Sequence, residues 1–124
     1  MKRGERLPDS ELEVMQAVWD CAVPVQRAEI ERALSTHRAL APTTILTLLT
    51  RLTEKGYLEA EKQGRSNCYT PLISRREYLA RESRSFVDKL CSGSMSTFAA
   101  ALCDSGLSRA DIEELRALLE EDKI

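Results

Sequence analysis

Pro42-Thr43-Thr44-Ile45-Leu46-Thr47-Leu48-Leu49-Thr50-Arg51-Leu52-Thr53-Glu54-Lys55-Gly56 is the stretch whose reading decides the fold. Proline suits the first turn of a helix, because its missing N–H has no intrahelical partner to lose. Gly56 supplies the left-handed residue that ends many helices. Between them Ile45, Leu48, Leu49 and Leu52 fall on one side of a helix that turns about 100° per residue. Thr43, Thr44, Thr47, Thr50 and Arg51 take the other side or its margins. Threonine is a mediocre helix former, and glutamate or lysine would serve better for solubility alone. A helix with such an outer face spends stability on something other than folding. Threonine hydroxyls and methyls together with one arginine are the chemistry that reads base edges in a DNA major groove. An exposed threonine-rich helix in an unrelated bundle is the plainer alternative.

After Gly56 the periodicity changes. Tyr57–Lys62 and Asn67–Thr70 flank Gln63-Gly64-Arg65-Ser66, which predicts a β-hairpin ended by Pro71. Upstream, Leu12, Met15, Val18 and Trp19 predict a first helix over about Pro8–Asp20. Asp9, Glu11 and Glu13 lie in its first turn, where carboxylates favour the positive end of the dipole. Val23-Pro24-Val25 breaks it, a second helix covers about Gln26–Leu34, and Ser35–Ala41 is a polar connection. Downstream, Ser74-Arg75-Arg76-Glu77 has the form of a capping box opening a helix to about Cys91. A break at Ser92-Gly93-Ser94 precedes a fifth helix, Met95–Asp104, and Ser108-Arg109-Ala110-Asp111 starts the last one. Three helices followed by a hairpin is the order of a winged helix-turn-helix, in which the helix before the hairpin enters the groove. The expected architecture is mainly α: a winged-helix DNA-binding domain over residues 1–72, then a helical dimerisation region over 73–124.

Composition sets bounds on this reading. With 31% charged and 43% hydrophobic residues, the 124-residue chain is neither a disordered tail nor a membrane protein. Its longest apolar run, Phe98–Cys103, is far short of the ~20 residues of a spanning helix. Met1-Lys2-Arg3-Gly4-Glu5 lacks the apolar core of a signal peptide, so a cytoplasmic location is expected. A net charge of −2 argues at first against a nucleic-acid partner. The charge is unevenly placed, however. No Asp or Glu occurs from Arg32 to Thr53, a segment holding Arg32, Arg38 and Arg51, and the hairpin tip adds Lys62 and Arg65.

Candidates for other chemistry are weak. Cys21, Cys68, Cys91 and Cys103 have neither zinc-ligand nor disulfide-framework spacing, and are expected to be reduced and mostly buried. His37 has no ligand partner at useful spacing, and Trp19 reads as core. Asp111, Glu113 and Glu114 read as capping and solubility, with no nucleophile or Gly-rich loop nearby. No enzyme, metal site, cofactor or small-molecule substrate is expected. Phe86, Leu90, Met95, Phe98, Leu102, Leu107, Ile112, Leu115 and Leu118 are more apolar surface than three isolated helices can cover. Pairing with a second copy would cover it, and a two-fold dimer would match a palindromic site. The other possibility is an intramolecular cap on the winged domain.

Leu7-Pro8-Asp9-Ser10-Glu11-Leu12-Glu13-Val14-Met15 with Val18-Trp19 resembles the opening of penicillinase repressors of the BlaI/MecI type. So do Ala41-Pro42-Thr43-Thr44-Ile45, the continuation through Arg51-Leu52 and Lys55-Gly56 to Leu58, and the wing residues Gly64-Arg65 and Tyr69-Thr70-Pro71. The resemblance covers nearly the whole chain. It implies a homodimeric repressor on a palindromic double-stranded operator upstream of β-lactamase or related genes. By position it puts the DNA contacts on Thr43, Thr44, Thr47, Arg51 and Arg65. It also implies relief through a membrane-bound sensor metalloprotease. The family is cut at an Asn-Phe bond in the fifth helix, and the aligned pair here is Ala101-Leu102. Its copper-responsive branch carries a carboxy-terminal cysteine cluster, whereas this chain has only Cys91 and Cys103 there. A winged-helix module that binds protein rather than DNA is the alternative from a different class. The hydroxyl-and-arginine face and the basic wing favour the repressor.

Overall fold

The computed structural model describes residues 6–35 and 40–122; His37 and Arg38 lie outside the described residues. The chain divides into two compact units, Met1–Glu82 and Ser83–Ile124.

The first unit contains α1 (Asp9–Asp20), β1 (Val25–Gln26), α2 (Arg27–Ser35), α3 (Pro42–Glu54), β2 (Leu58–Gln63), β3 (Ser66–Pro71) and the start of α4 (Arg75–Leu90). The core is built where the helical stripes meet. Ile45, Leu48, Leu49 and Leu52 of α3 are buried with Val14, Met15 and Val18 of α1 and with Ile30 and Leu34 of α2. Burying the four α3 side chains contributes roughly 6–12 kcal/mol at 1.5–3 kcal/mol each, an upper bound because unfolded chains already hide some surface. At the end of α3 the chain reverses through Gly56 at φ +85°, and the Tyr57 amide donates back to the Leu52 carbonyl at 2.9 Å.

The sheet is antiparallel in the order β1-β3-β2. Its hairpin runs in register from Leu58 opposite Pro71 to Gln63 opposite Ser66, leaving Gly64-Arg65 as a two-residue turn. Gly64 alone of the pair has a positive φ, +66°, the pattern of a type II′ hairpin turn. The two-residue β1, which pairs Val25 with Tyr69, escapes a sequence reading because it is too short to show alternation.

The first turn of α4 is part of this unit. Ser74 and Glu77 form the expected capping box, each backbone amide donating to the other's side chain, at 2.9 and 3.0 Å. Tyr78 is buried; its hydroxyl accepts from the Leu7 amide at 2.9 Å, and its ring meets Trp19 and Tyr57. The Trp19 indole donates to the Ile73 carbonyl at 3.0 Å, which places this side chain at the core margin.

Among the described residues, one charged side chain is buried. Glu11, expected only as a first-turn carboxylate at the positive end of the helix dipole, is 3% exposed and is held by the Lys55 ammonium at the end of α3. This long-range pair fastens the start of α1 to the end of α3, and nothing local in the sequence marks it.

In the second unit α4 ends at Leu90, and the chain turns through Ser92 (φ 53°) and Gly93 (φ 75°) into α5 (Met95–Asp104). The Ser94 side chain caps α5 by accepting from the Thr97 amide, and Ser108 with Asp111 forms a second capping box at α6 (Arg109–Asp122). Phe86 and Phe98 meet edge to face with ring centres 5.9 Å apart. Val87 and Cys91 are buried, but Leu90, Met95, Leu118 and Leu119 are more than half exposed. Of the cysteines, Cys68 and Cys91 are buried, Cys21 is half-buried and Cys103 is exposed. Burial raises the Cys21 thiol above its ordinary pKa; the Glu29 and Asp20 carboxylates add to this and Arg32 opposes it, so little reactive thiolate forms.

Removing Lys55 leaves the Glu11 carboxylate buried without a partner. Lys55→Met is expected to lower the unfolding free energy by about 2–3 kcal/mol, below the usual range for buried pairs because Lys55 is partly exposed. Urea denaturation checks this, and adding Glu11→Leu should recover most of the loss. A loss within error of zero for Lys55→Met would show that the pair carries no stability.

Candidate nucleic-acid interface

With one stripe of α3 buried, the opposite stripe has nowhere to go but outward. Thr43, Thr44, Thr47, Thr50 and Arg51 are all exposed, as the spacing predicts. Leu46, which that spacing leaves outside the buried stripe, is 40% exposed on the same outer arc. Three hydroxyls are already committed. Thr47 donates to the Thr43 carbonyl at 3.0 Å, Thr50 to Leu46 at 3.0 Å and Thr53 to Leu49 at 2.8 Å. Each spends its proton on the preceding turn, so toward solvent it offers oxygen lone pairs and a methyl group. This face can accept hydrogen bonds and make apolar contacts; the long donor on it is Arg51.

The amino terminus of α3 is open. Ala41 provides no side-chain cap, Pro42 sits at the start, and the first turn has no acidic residue. Backbone N–H groups and the positive end of the dipole are therefore available to an anion such as a phosphate.

The wing supplies the second part. Strand alternation puts Lys62 on one face of β2, and Glu59 and Glu61 on the other. Lys62 lines a cleft of about 410 Å³ with Gln26, Arg27, Leu46, Arg65 and Asn67. Asn67 stands opposite Lys62 in the register, which places both on the cleft face. Among the described residues Arg51, Lys62 and Arg65 have no ion-pair partner, whereas Arg27 is held by Glu31 at 3.1 Å. Unpaired cations on the outer face of α3 and on the wing, together with the uncapped start of the same helix, form a surface suited to a polyanion.

The structure thus puts Thr43, Thr44, Thr47 and Arg51 together on one exposed helix face, and Arg65 at the tip of the hairpin. It adds Arg27, Leu46 and Asn67, which sequence reasoning missed. Arg27 joins the cleft because β1 pairs with β3, a long-range fact, and Asn67 through the hairpin register that sets it opposite Lys62; Leu46 was visible as an apolar residue outside the buried stripe. Ala101 and Leu102 lie apart from this surface in sequence, inside α5, the first exposed and the second half-buried. Among the described residues no group of three His, Cys, Asp or Glu side chains could hold a metal ion, and no helix is long and apolar enough to cross a membrane.

Comparison with known proteins gives consistent results. A family model described as "Penicillinase repressor" matches residues 7–121. The penicillinase repressor of Bacillus licheniformis is 35% identical over 124 residues, covering 99% of this chain and 96% of that protein. The methicillin resistance regulatory protein MecI of Staphylococcus aureus (strain N315) is 28% identical, covering 93% of this chain and 94% of that protein. The solution structure of the DNA-binding domain of the repressor BlaI superimposes with a TM-score of 0.54 at 38% identity, over 63% of this chain and 94% of that domain. A second solution structure, of monomeric Bacillus licheniformis BlaI in complex with the blaP half-operator, gives a TM-score of 0.51 at 38% identity with the same coverage.

Proposed function

The chain belongs to the penicillinase repressor family of DNA-binding transcriptional repressors, and from that premise we propose that it acts in the cytoplasm as a homodimer on a palindromic operator controlling β-lactamase or related genes. The observation that carries this is the outer face of α3 beside the wing: acceptor hydroxyls, methyls and Arg51 on a helix with an uncapped start, and the unpaired Lys62 and Arg65 in the cleft that Leu46 lines. Thr43, Thr44, Thr47 and Arg51 read the major groove, and Arg65 contacts the adjoining backbone. Hydroxyls that have spent their protons accept from the amino groups of adenine or cytosine, their methyls meet thymine, and Arg51 pairs with guanine or holds a phosphate. The family is one of repressors, not enzymes.

The dimer is formed by the second unit. Leu90, Met95, Leu118 and Leu119 are apolar side chains on helices too few to cover one another, and a second copy covers them symmetrically. Relief of repression passes through a membrane-bound sensor metalloprotease acting at Ala101-Leu102. A protease needs an extended backbone, and α5 is a ten-residue helix with no fully buried residue, so opening it locally costs little.

Arg51→Ala is expected to weaken operator binding by about 1–3 kcal/mol, and Lys62→Ala to reduce the salt slope by about one. Fluorescence anisotropy across a salt series measures both. Unchanged affinity for Arg51→Ala, or wild-type binding insensitive to salt, contradicts base reading by this face.

A chain truncated after Glu82 retains Tyr78 and Arg81, and is expected to be monomeric by light scattering and to bind one half-site weakly. Persistent dimerisation of that chain would place the interface in the wrong unit.

For the protease step, mass spectrometry of repressor incubated with the sensor's protease domain should find a cut between Ala101 and Leu102. A cut elsewhere, or an intact chain, removes this route.

A further inference from the structure

In α1, α2, α3 and the sheet, Leu46 is the one large apolar side chain among the described residues that is exposed, at 40%. A single exposed leucine elsewhere on a surface would call for no explanation. Its place is what singles this one out. Leu46 lines the cleft of about 410 Å³ that the wing residues Lys62 and Arg65 also line. Arg51 lies five residues on, about 140° farther around the helix at about 100° per residue. The outer arc of α3 therefore has two unlike flanks, a cationic one at Arg51 and an apolar one at Leu46, and the apolar one is turned to the wing.

The helical neighbour of Leu46 on that flank is Thr50, four residues on, with side chains at such spacing about 5–6 Å apart. Thr50 donates its hydroxyl proton to the Leu46 carbonyl at 3.0 Å, so toward a groove it offers only lone pairs and a methyl. A base pair set against this flank meets a branched hydrocarbon beside an acceptor. Thymine alone of the four bases carries a methyl group in the major groove, and its partner adenine offers the amino group that Thr50 can accept from. Guanine presents two acceptors there, N7 and O6, which neither Leu46 nor Thr50 can satisfy, and a buried acceptor without a donor costs more than a made bond gains. Cytosine offers an amino group but no methyl, and brings guanine with it. Lys62 and Arg65 are donors, but they stand on the wing, where the phosphate charge competes for them.

We propose that Leu46 is a specificity-determining residue: it selects a T·A pair on the wing side of α3 by apolar contact with the thymine 5-methyl group, while Thr50 accepts from the paired adenine. The proposal rests on the operator-reading function above and names a base pair that this reading leaves open.

The test uses the full chain and a duplex selected from a random library by the wild-type protein. Each thymine of one half-site is replaced in turn by deoxyuridine, which removes the 5-methyl group and keeps every hydrogen-bonding group. Fluorescence anisotropy is expected to show wild-type binding about fourfold weaker at one T·A pair, the equivalent of one apolar carbon left unburied. Leu46→Ala should lose the uracil penalty at that pair and keep any penalty at pairs met by threonine methyls. Its thermal midpoint should match wild type, because the side chain is exposed and alanine favours a helix. Comparing the two proteins on the same duplexes cancels any change that uracil makes to the DNA itself. No uracil penalty anywhere in the wild type, or the same penalties at every position in Leu46→Ala, overturns the role of Leu46 and leaves operator recognition standing. A wild-type chain that enriches no sequence from the library overturns operator recognition and the role of Leu46 with it.

Discussion

Burial of one stripe of α3 is the constraint on which the winged unit depends. Ile45, Leu48, Leu49 and Leu52 fill the space against α1 and α2, and a helix that buries one arc must present the opposite one. The threonine face is thus aimed by the same contacts that hold the unit together. An apolar stripe alone tolerates sliding, since one leucine packs much like another a turn away. The Glu11–Lys55 pair does not, because a displaced Lys55 would leave a buried carboxylate alone. Between them the stripe sets the rotation of α3 and the ion pair sets its axial position.

Several local features run against stability, and they coincide at one surface. Threonines on the outer arc of α3 lower its helix propensity, and its amino terminus is left without a side-chain cap or an acidic first turn. Among the described residues the cations at Arg51, Lys62 and Arg65 stand without ion-pair partners, although the chain as a whole has two more acidic than basic side chains. Strand alternation resolves that conflict on β2, where Glu59 and Glu61 face away from the cleft that Lys62 lines.

Much of the fold was legible because it is governed by neighbours along the chain. The α3 bounds, the left-handed Gly56, the hairpin around Gly64, the α5 span and the capping boxes at Ser74 and Ser108 all follow from spacing within a few residues. The outer threonines and Arg51 were legible for the same reason, since helical periodicity assigns inside and outside together. β1 was not, because two residues show no alternation. Glu11 was legible as a first-turn acid at the positive end of the dipole, and only its meeting with Lys55, 44 positions away, makes it a buried one. Arg27 reaches the cleft only through the pairing of β1 with β3, whereas Asn67 reaches it through the hairpin register that sets it opposite Lys62.

By itself, the sequence determined which residues could form each element and which face of α3 would be wet, because hydrophobic periodicity and terminal capping act over one or two turns. Tertiary structure alone decided that Glu11 would be paired, that the wing and the start of α2 would share a cleft, and that Tyr78 and Arg81 would belong to the first compact unit. Those outcomes depend on side chains far apart in the chain meeting at hydrogen-bond or van der Waals distance, and no local periodicity encodes such a meeting.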